Sequence, residues 1–202
     1  MPGGRPRAFD ADAALDRALE VFWRQGYEGT ALSDLTEAMG INRPSLYAAF
    51  GNKEALFAKV LDRYTDGPGA FAAQAIDLPR ARDVVERLIH GAVELTTGPD
   101  TPAGCLSVNC VQGCGPDAEA VRQMAITRRK ASEAVLRRRF EQAQASGDLP
   151  DGCDPADLAR FLMTLTDGIA VQAAAGASRE ELSRVADLAL RTWAFGHAPS
   201  SG

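Results

Sequence analysis

Arg43, Ser45, Tyr47 and Lys53 fall within eleven residues and together carry the chemistry of a group that reads nucleic acid. A guanidinium at Arg43 can reach guanine O6/N7 or a phosphate. The hydroxyls of Ser45 and Tyr47 can donate to phosphate oxygens, and small Ala48 and Ala49 permit close approach or contact with a thymine methyl. Lys53 opens the next segment, where its ammonium and the helix N-terminal amides can hold a phosphate together. The same residues also fit a plain helical hairpin with a solvated arginine and a half-buried tyrosine. A second group is sulfur. Cys105, Cys110 and Cys114 lie within ten residues. At about 100° per residue, Cys110 and Cys114 share one helix face while Cys105 points roughly the other way, so one intact helix does not converge all three thiols. The spacing is neither Cys-x-x-Cys nor that of a zinc finger, so a metal site on Cys105, Cys110 and Cys114 has little support.

The elements that position these residues read as helices from end to end. Runs that alternate apolar and polar residues are few, and Ala, Leu, Arg and Glu predominate over β-branched residues, so the expected class is all-α with about nine helices. Asp10 is an expected N-cap, followed by Leu15, Leu19 and Phe22 on one face until Gly26. A short helix over 32–39 ends at Gly40, and Asn42 caps a second reaching Phe50 with Pro44 in its first turn. Asn52 caps the next, which runs to the break Asp66-Gly67-Pro68-Gly69. Beyond it helices are predicted at about 80–97, 103–113, 116–146, 154–176 and 178–196.

The chain has 202 residues, 46% hydrophobic and 24% charged, with a formal net charge of -5. Those proportions fit one globular domain or two small ones and exclude collagen, long coiled coils and disorder. No stretch approaches the roughly 18 apolar residues of a membrane span, and the N-terminus lacks the apolar core of a signal peptide. A cytoplasmic protein with reduced thiols is expected. The acidic balance argues on its face against nucleic acid, yet basic groups are placed at the arm (Arg5, Arg7), Arg43 and Lys53, while many acids lie elsewhere.

Two short helices joined by Gly40-Ile41-Asn42 form the pattern of a helix-turn-helix, whose second helix enters the major groove. From Gly29-Thr30 through Met39-Gly40-Ile41-Asn42, then Pro44-Ser45-Leu46-Tyr47-Ala48-Ala49-Phe50 and Asn52-Lys53-Glu54-Ala55-Leu56, the sequence resembles the N-terminal domain of TetR/AcrR-type transcriptional repressors. The match spans about residues 9–64 and includes Phe22 and Gly26-Tyr27. The resemblance implies a homodimeric repressor that binds a palindromic operator in double-stranded DNA and is released by an effector in a helical C-terminal domain. The residues themselves predict a basic arm over 1–8, a DNA-binding domain over 9–66 ending at the Gly/Pro cluster, and an effector and dimerisation domain over 76–198, and no cofactor is expected. Tyr47 and Lys53 are similar to the family's phosphate-contacting pair, and Ser33, Arg43, Pro44, Ser45 and Ala48 fall where such proteins touch backbone or bases. Two departures matter: relatives often carry a polar residue where Ala49 stands, and they surround this helix with more basic residues. Arg5 and Arg7 in the arm are suited to a narrow minor groove.

Thr101 to Leu106, with Gly4 to Tyr27, resembles a branch that includes a copper-responsive repressor, and other relatives carry a reactive cysteine near this helix. Three readings of the cysteines stay open: structural thiols, a sensor of oxidants or electrophiles, or soft-metal ligation by Cys105 or Cys110 with Cys114. Cys105, Leu106, Val108, Met124, Phe161, Leu165 and Ile169 are expected to line an effector pocket. Leu158, Leu162, Ile169, Leu182, Val185, Leu188 and Trp193 are expected at a dimer interface. Two rivals from other classes are a cysteine-dependent thiol enzyme and a helical protein-binding adaptor. The first lacks a Cys–His pair at useful spacing; the second leaves Arg43, Tyr47 and Lys53 without purpose.

Overall fold

The computed structural model describes residues 9–149 and 152–192, which form ten α-helices and one 3-10 turn with no β-strand among them. The first four are α1 (Ala11–Gly29), α2 (Leu32–Met39), α3 (Arg43–Phe50) and α4 (Lys53–Asp66). Three of them begin at the side-chain caps that the sequence points to. The Asp10 carboxylate accepts from the Asp12 and Ala13 amides at 3.0 and 3.1 Å, Asn42 from Ser45 at 2.9 Å, and Asn52 from Ala55 at 2.7 Å. Each such cap contributes about 1 kcal/mol. The helical path of α1 is interrupted at Gly26, the residue expected to end it.

After the Gly67–Gly69 turn the chain forms α5 (Ala70–Ile76), which sequence reading left in the break between domains. Then follow α6 (Ala81–Thr96), α7 (Leu106–Gly113), the turn Pro116–Ala118, α8 (Glu119–Ala145), α9 (Pro155–Ala174) and α10 (Arg179–Thr192). The helix expected from residue 103 starts at Leu106 because Gly104 takes a φ of 87° and offers its carbonyl to the Trp23 indole N–H at 3.0 Å. No helix among the described residues is long and apolar enough to cross a membrane.

Burial divides into two cores. The first gathers Phe22, Leu35, Leu46, Leu56 and Phe57, all fully buried, with Phe22 and Phe57 meeting edge to face at 4.9 Å between centroids. Each such side chain contributes about 1.5–3 kcal/mol on burial. This core is not confined to α1–α4, because Leu106 and Cys110 of α7 and Val121 and Ala125 of α8 are buried in it. The second core packs α6, α8, α9 and α10 around Ile89, Phe140, Leu162 and Ile169. Polar ties cross between the halves. Gly115 donates its N–H to Glu28 at 2.8 Å, and Arg128 of α8 pairs with Asp62 and donates to the Ala58 carbonyl at 3.4 Å, both on α4.

Candidate functional site

The α2–α3 pair is closed by Gly40, whose φ of 67° lies in the left-handed region. Its N–H reaches the Glu37 carbonyl at 3.1 Å, and that of Ile41 reaches Thr36 at 3.1 Å, which ends α2 and turns the chain toward α3. Leu46 and Phe50 are buried beneath α3, so its other face points outward. Arg43, Pro44, Tyr47, Ala48 and Ala49 are exposed there, with Tyr47 at 48% exposure, while Ser45 is half-buried and Ser33 of α2 is exposed beside them. Arg5 and Arg7 lie outside the described residues.

Lys53, at the N-terminus of α4, sits with its Nζ 4.4 Å from the centroid of the Tyr27 ring. Burial draws its pKa below the usual lysine range, and Glu28, Cys114 and Asp34 act in the opposite direction. The ammonium is thereby held at one place over an aromatic face rather than left on a free stem, beside the open amides that begin α4. Tyr27 is a functional neighbour that residue-type reasoning about α3 missed. Its signal in the sequence is the Gly26-Tyr27 pair, which bends α1 and aims the ring at Lys53.

The second part of the site is a cavity of about 220 Å³ between the two halves. Leu61, Tyr64 and Thr65 of α4 form one wall, Phe71 and Ala72 of α5 a second, and Leu88, Ala92 and Leu95 of α6 a third. Cys105, Ser107 and Val108 close it from α7 and its N-cap, and α8 and α9 supply Arg128, Arg129, Leu136, Leu162, Thr166 and Asp167. Phe71 reaches this position because Gly91 has no side chain: a Cβ there would stand 2.2 Å from the ring. Apolar side chains mix in the lining with several polar ones, of which two groups are tied by hydrogen bonds or charge within the wall. The Tyr64 hydroxyl donates to Cys105 Sγ at 3.2 Å, and Ser107 Oγ lies 3.2 Å from the same sulfur. Burial, then Cys105, holds the Tyr64 phenol well above its ordinary range, so it remains a donor. Facing them, Arg129 of α8 is paired with Asp167 of α9. Burial raises the Asp167 carboxyl, opposed by the guanidinium. Arg129, Met163 and Asp167 also line an outer groove, so this ion pair stands between cavity and surface.

Several expected pocket residues lie elsewhere. Cys105 and Val108 line the cavity, whereas Leu106 is 1% exposed inside the first core and Met124 packs against that core. Phe161, Leu165 and Ile169 line a separate groove between α9 and α10, with Leu182 and Val185. Leu162, expected at a dimer interface, faces the cavity, while Leu158 packs on the second core, in which Ile169 and Leu182 are buried. The apolar stripe of α9 is wide enough to serve the cavity and the outer groove at once, and spacing alone does not divide it. Val185 and Leu188 of α10 are exposed, at 44% and 54%, and Trp193 lies outside the described residues. The cysteines also separate: Cys105 faces the cavity, while Cys110 Sγ and Cys114 Sγ lie 3.6 Å apart against the first core.

Both halves of the chain are matched among known proteins. Residues 14–60 match the family model for bacterial regulatory proteins of the tetR family, and residues 79–189 match that for the tetracyclin repressor-like C-terminal domain. The HTH-type transcriptional repressor ComR of Escherichia coli strain K12 is 40% identical over 195 residues, 94% of this chain and 91% of ComR. BdcR, another HTH-type transcriptional repressor of the same strain, is 30% identical over 192 residues, 92% of this chain and 90% of BdcR. A cysteine mutant of the TetR family transcriptional regulator CifR, solved in complex with 26bp double-strand operator DNA, superposes with a TM-score of 0.88 at 43% identity, covering 94% of this chain and 100% of that one. With an outward-facing α3 seated on a packed helix-turn-helix and both of its halves matched, the chain belongs to the TetR family of bacterial transcriptional regulators.

Proposed function

We propose that the protein is a dimeric repressor in the cytoplasm that binds a palindromic operator through α3 and releases it when a small, largely apolar effector enters the cavity beside Cys105. The observation that carries this reading is the way α4 serves both places. Its first residue is Lys53 at the outward face, and its last turns carry Leu61, Tyr64 and Thr65 into the cavity wall. An effector that displaces Tyr64 or Arg128 changes the seating of the helix that carries Lys53. Release requires that the effector bind the geometry with mismatched recognition helices more tightly than the DNA-bound one. The operator complex of CifR supports the DNA half of the reading.

In this reading Arg43, Pro44 and Ala48 meet base edges, and Ser33, Ser45, Tyr47 and Lys53 meet phosphates. Val185 and the α9–α10 groove meet a second copy. The Cys105 thiol, with hydroxyl groups of Tyr64 and Ser107 on either side, gives the cavity a nucleophile toward a thiol-directed effector. The test is a gel shift at several salt concentrations on the DNA upstream of the protein's own gene. Arg43→Ala should cost about 1–3 kcal/mol on the preferred sequence and little on random duplex. Equal loss on both sequences would remove Arg43 from base reading. If Cys105→Ser responds normally to every effective inducer, the thiol has no part in release.

A further inference from the structure

We propose that Cys110 and Cys114 form a redox-active dithiol, separate from the effector cavity, that hydroperoxides oxidise to an intrachain disulfide, weakening the hold of the Lys53 corner on DNA. Their sulfurs are 3.6 Å apart at the C-terminal end of α7, with Cys110 the last buried residue of the helix and Cys114 its C-cap. Residues four apart on a helix have Cα atoms about 6 Å apart, inside the range that a disulfide spans, so closing the sulfurs to a bond of about 2.05 Å needs a small movement of the cap. Neither sulfur belongs to the cavity lining.

The two thiols differ in their access to solvent, which decides the order of the two steps. Cys110 is 3% exposed, Val121 offers it a carbonyl at 3.9 Å, and burial pushes the thiol up to about 12. Cys114 is only half-buried; burial raises its thiol, Glu28 adds to that, and the hydrogen bond with Cys110 and the charges of Arg122 and Lys53 act the other way. Cys114 is therefore the sulfur that meets the oxidant. Its thiolate attacks one oxygen of hydrogen peroxide, the O–O bond breaks, and the departing hydroxide takes the thiol proton as water, leaving a sulfenic acid on Cys114. Cys110 Sγ then attacks that sulfur, the S–O bond breaks, and hydroxide leaves with the Cys110 proton as a second water. Two thiols lose two electrons, and one peroxide becomes two waters.

The link to DNA runs through the residue that follows. Gly115 donates to the Glu28 carboxylate at 2.8 Å, and Glu28, like Cys114, acts electrostatically on Lys53, which rests on Tyr27. Drawing Cys114 toward Cys110 shifts Gly115, the carboxylate it holds and the charge environment of Lys53. This link rests on the assignment of Lys53 to a phosphate; formation of the disulfide does not.

The test uses the full-length protein and a duplex selected by the reduced protein from a random-sequence library. After hydrogen peroxide and alkylation of the remaining thiols, mass spectrometry with fragmentation should find two hydrogens lost between Cys110 and Cys114, with Cys105 and Cys153 alkylated. Affinity for the selected duplex should fall at least about five-fold and return with dithiothreitol. Cys114→Ser should show neither change, and Cys110→Ala should stop at a sulfenic acid that dimedone traps on Cys114; either variant suffices if the other fails to fold. Pairing of Cys105 or Cys153, absence of any disulfide, or a Cys110–Cys114 disulfide with affinity changed less than two-fold overturns the proposal. If the reduced protein selects no duplex, the operator-binding reading and the proposed effect on DNA fail together, and the mass readout still decides the dithiol.

Discussion

Tyr64 and Cys105 are joined by a hydrogen bond of 3.2 Å, phenol to thiol, although 41 residues separate them. The bond ties the last turn of α4 to the residue that caps α7, at the wall of the cavity. The Tyr64 ring is itself braced edge to face by Trp23, 4.9 Å between centroids, and the Trp23 indole reaches Gly104, the neighbour of Cys105. α1, α4 and the N-terminus of α7 thus meet beside the sulfur at the cavity wall, and a ligand that separated the phenol from the thiol would disturb all three.

Leu162 measures how much the cavity wall supports the fold. It is 1% exposed and lines the cavity from α9. Leu162→Ala should destabilise the protein by about 2–4 kcal/mol, read from urea unfolding. If Leu162 acted only between subunits, its cost would vanish as the protein is diluted below its dimerisation range; the wall position predicts a loss that persists there.

Gly40→Ala tests the turn. The nearest group to an added Cβ is Arg17 Nη1 at 3.7 Å, so space is sufficient and only the left-handed backbone opposes the methyl. The expected cost is about 1–2 kcal/mol, a fall of roughly 2–8 °C in Tm by calorimetry.

Tyr27 and Lys53 can be separated by salt dependence. Lys53→Ala removes a charge, so affinity should fall and the slope of log affinity against log salt should flatten by about 0.9 for each phosphate released. Tyr27→Leu keeps the charge and removes the ring under it. Affinity should fall several-fold with the slope unchanged. A flattened slope for Tyr27→Leu would mean that the ring does not act by positioning the ammonium.

Burial of Cys110 has a consequence in alkali. Its thiol is raised from 9.0 to about 12 in the folded protein, so the folded state holds its proton over that interval while the unfolded state has released it. The stability associated with this thiol is therefore complete below pH 9 and is lost as pH rises toward 12, with a slope of at most about 1.4 kcal/mol per unit. The Tyr27 and Tyr64 phenols are raised as well and add to the same fall. The difference between wild type and Cys110→Ala, by urea unfolding from pH 8 to 10.5, isolates the thiol. Equal slopes would show that it does not titrate as described.

The parts legible in the sequence are those that one helix states about itself. Asp10, Asn42 and Asn52 announce where helices start, and the i, i+4 pair Leu46 and Phe50 marks which side of α3 is packed. The seven residues of α5 make barely two turns, too few to repeat an apolar face; it is held by Phe71 lying against Gly91 and by Arg87 over that ring at 5.2 Å, contacts that local sequence does not display. The cavity draws on helices far apart in the chain, so periodicity along any one of them could not distinguish Leu162 from Phe161 as its neighbour. The partnership of Arg129 with Asp167, across 38 residues, was hidden for the same reason.

The first core, with Leu106, Cys110, Val121 and Ala125 inside it, bears on how such regulators can be recombined. A chimera cut at the Gly67–Gly69 turn, with a foreign sensor joined to this DNA reader, removes the four residues that finish the reader's interior. Such a graft should yield a reader that aggregates or loosens, whereas one that also carries α7 and the first turns of α8 keeps its packing. The unit of exchange is therefore larger than the segment that touches DNA, and the boundary for domain swapping lies within α8 rather than at the glycine turn.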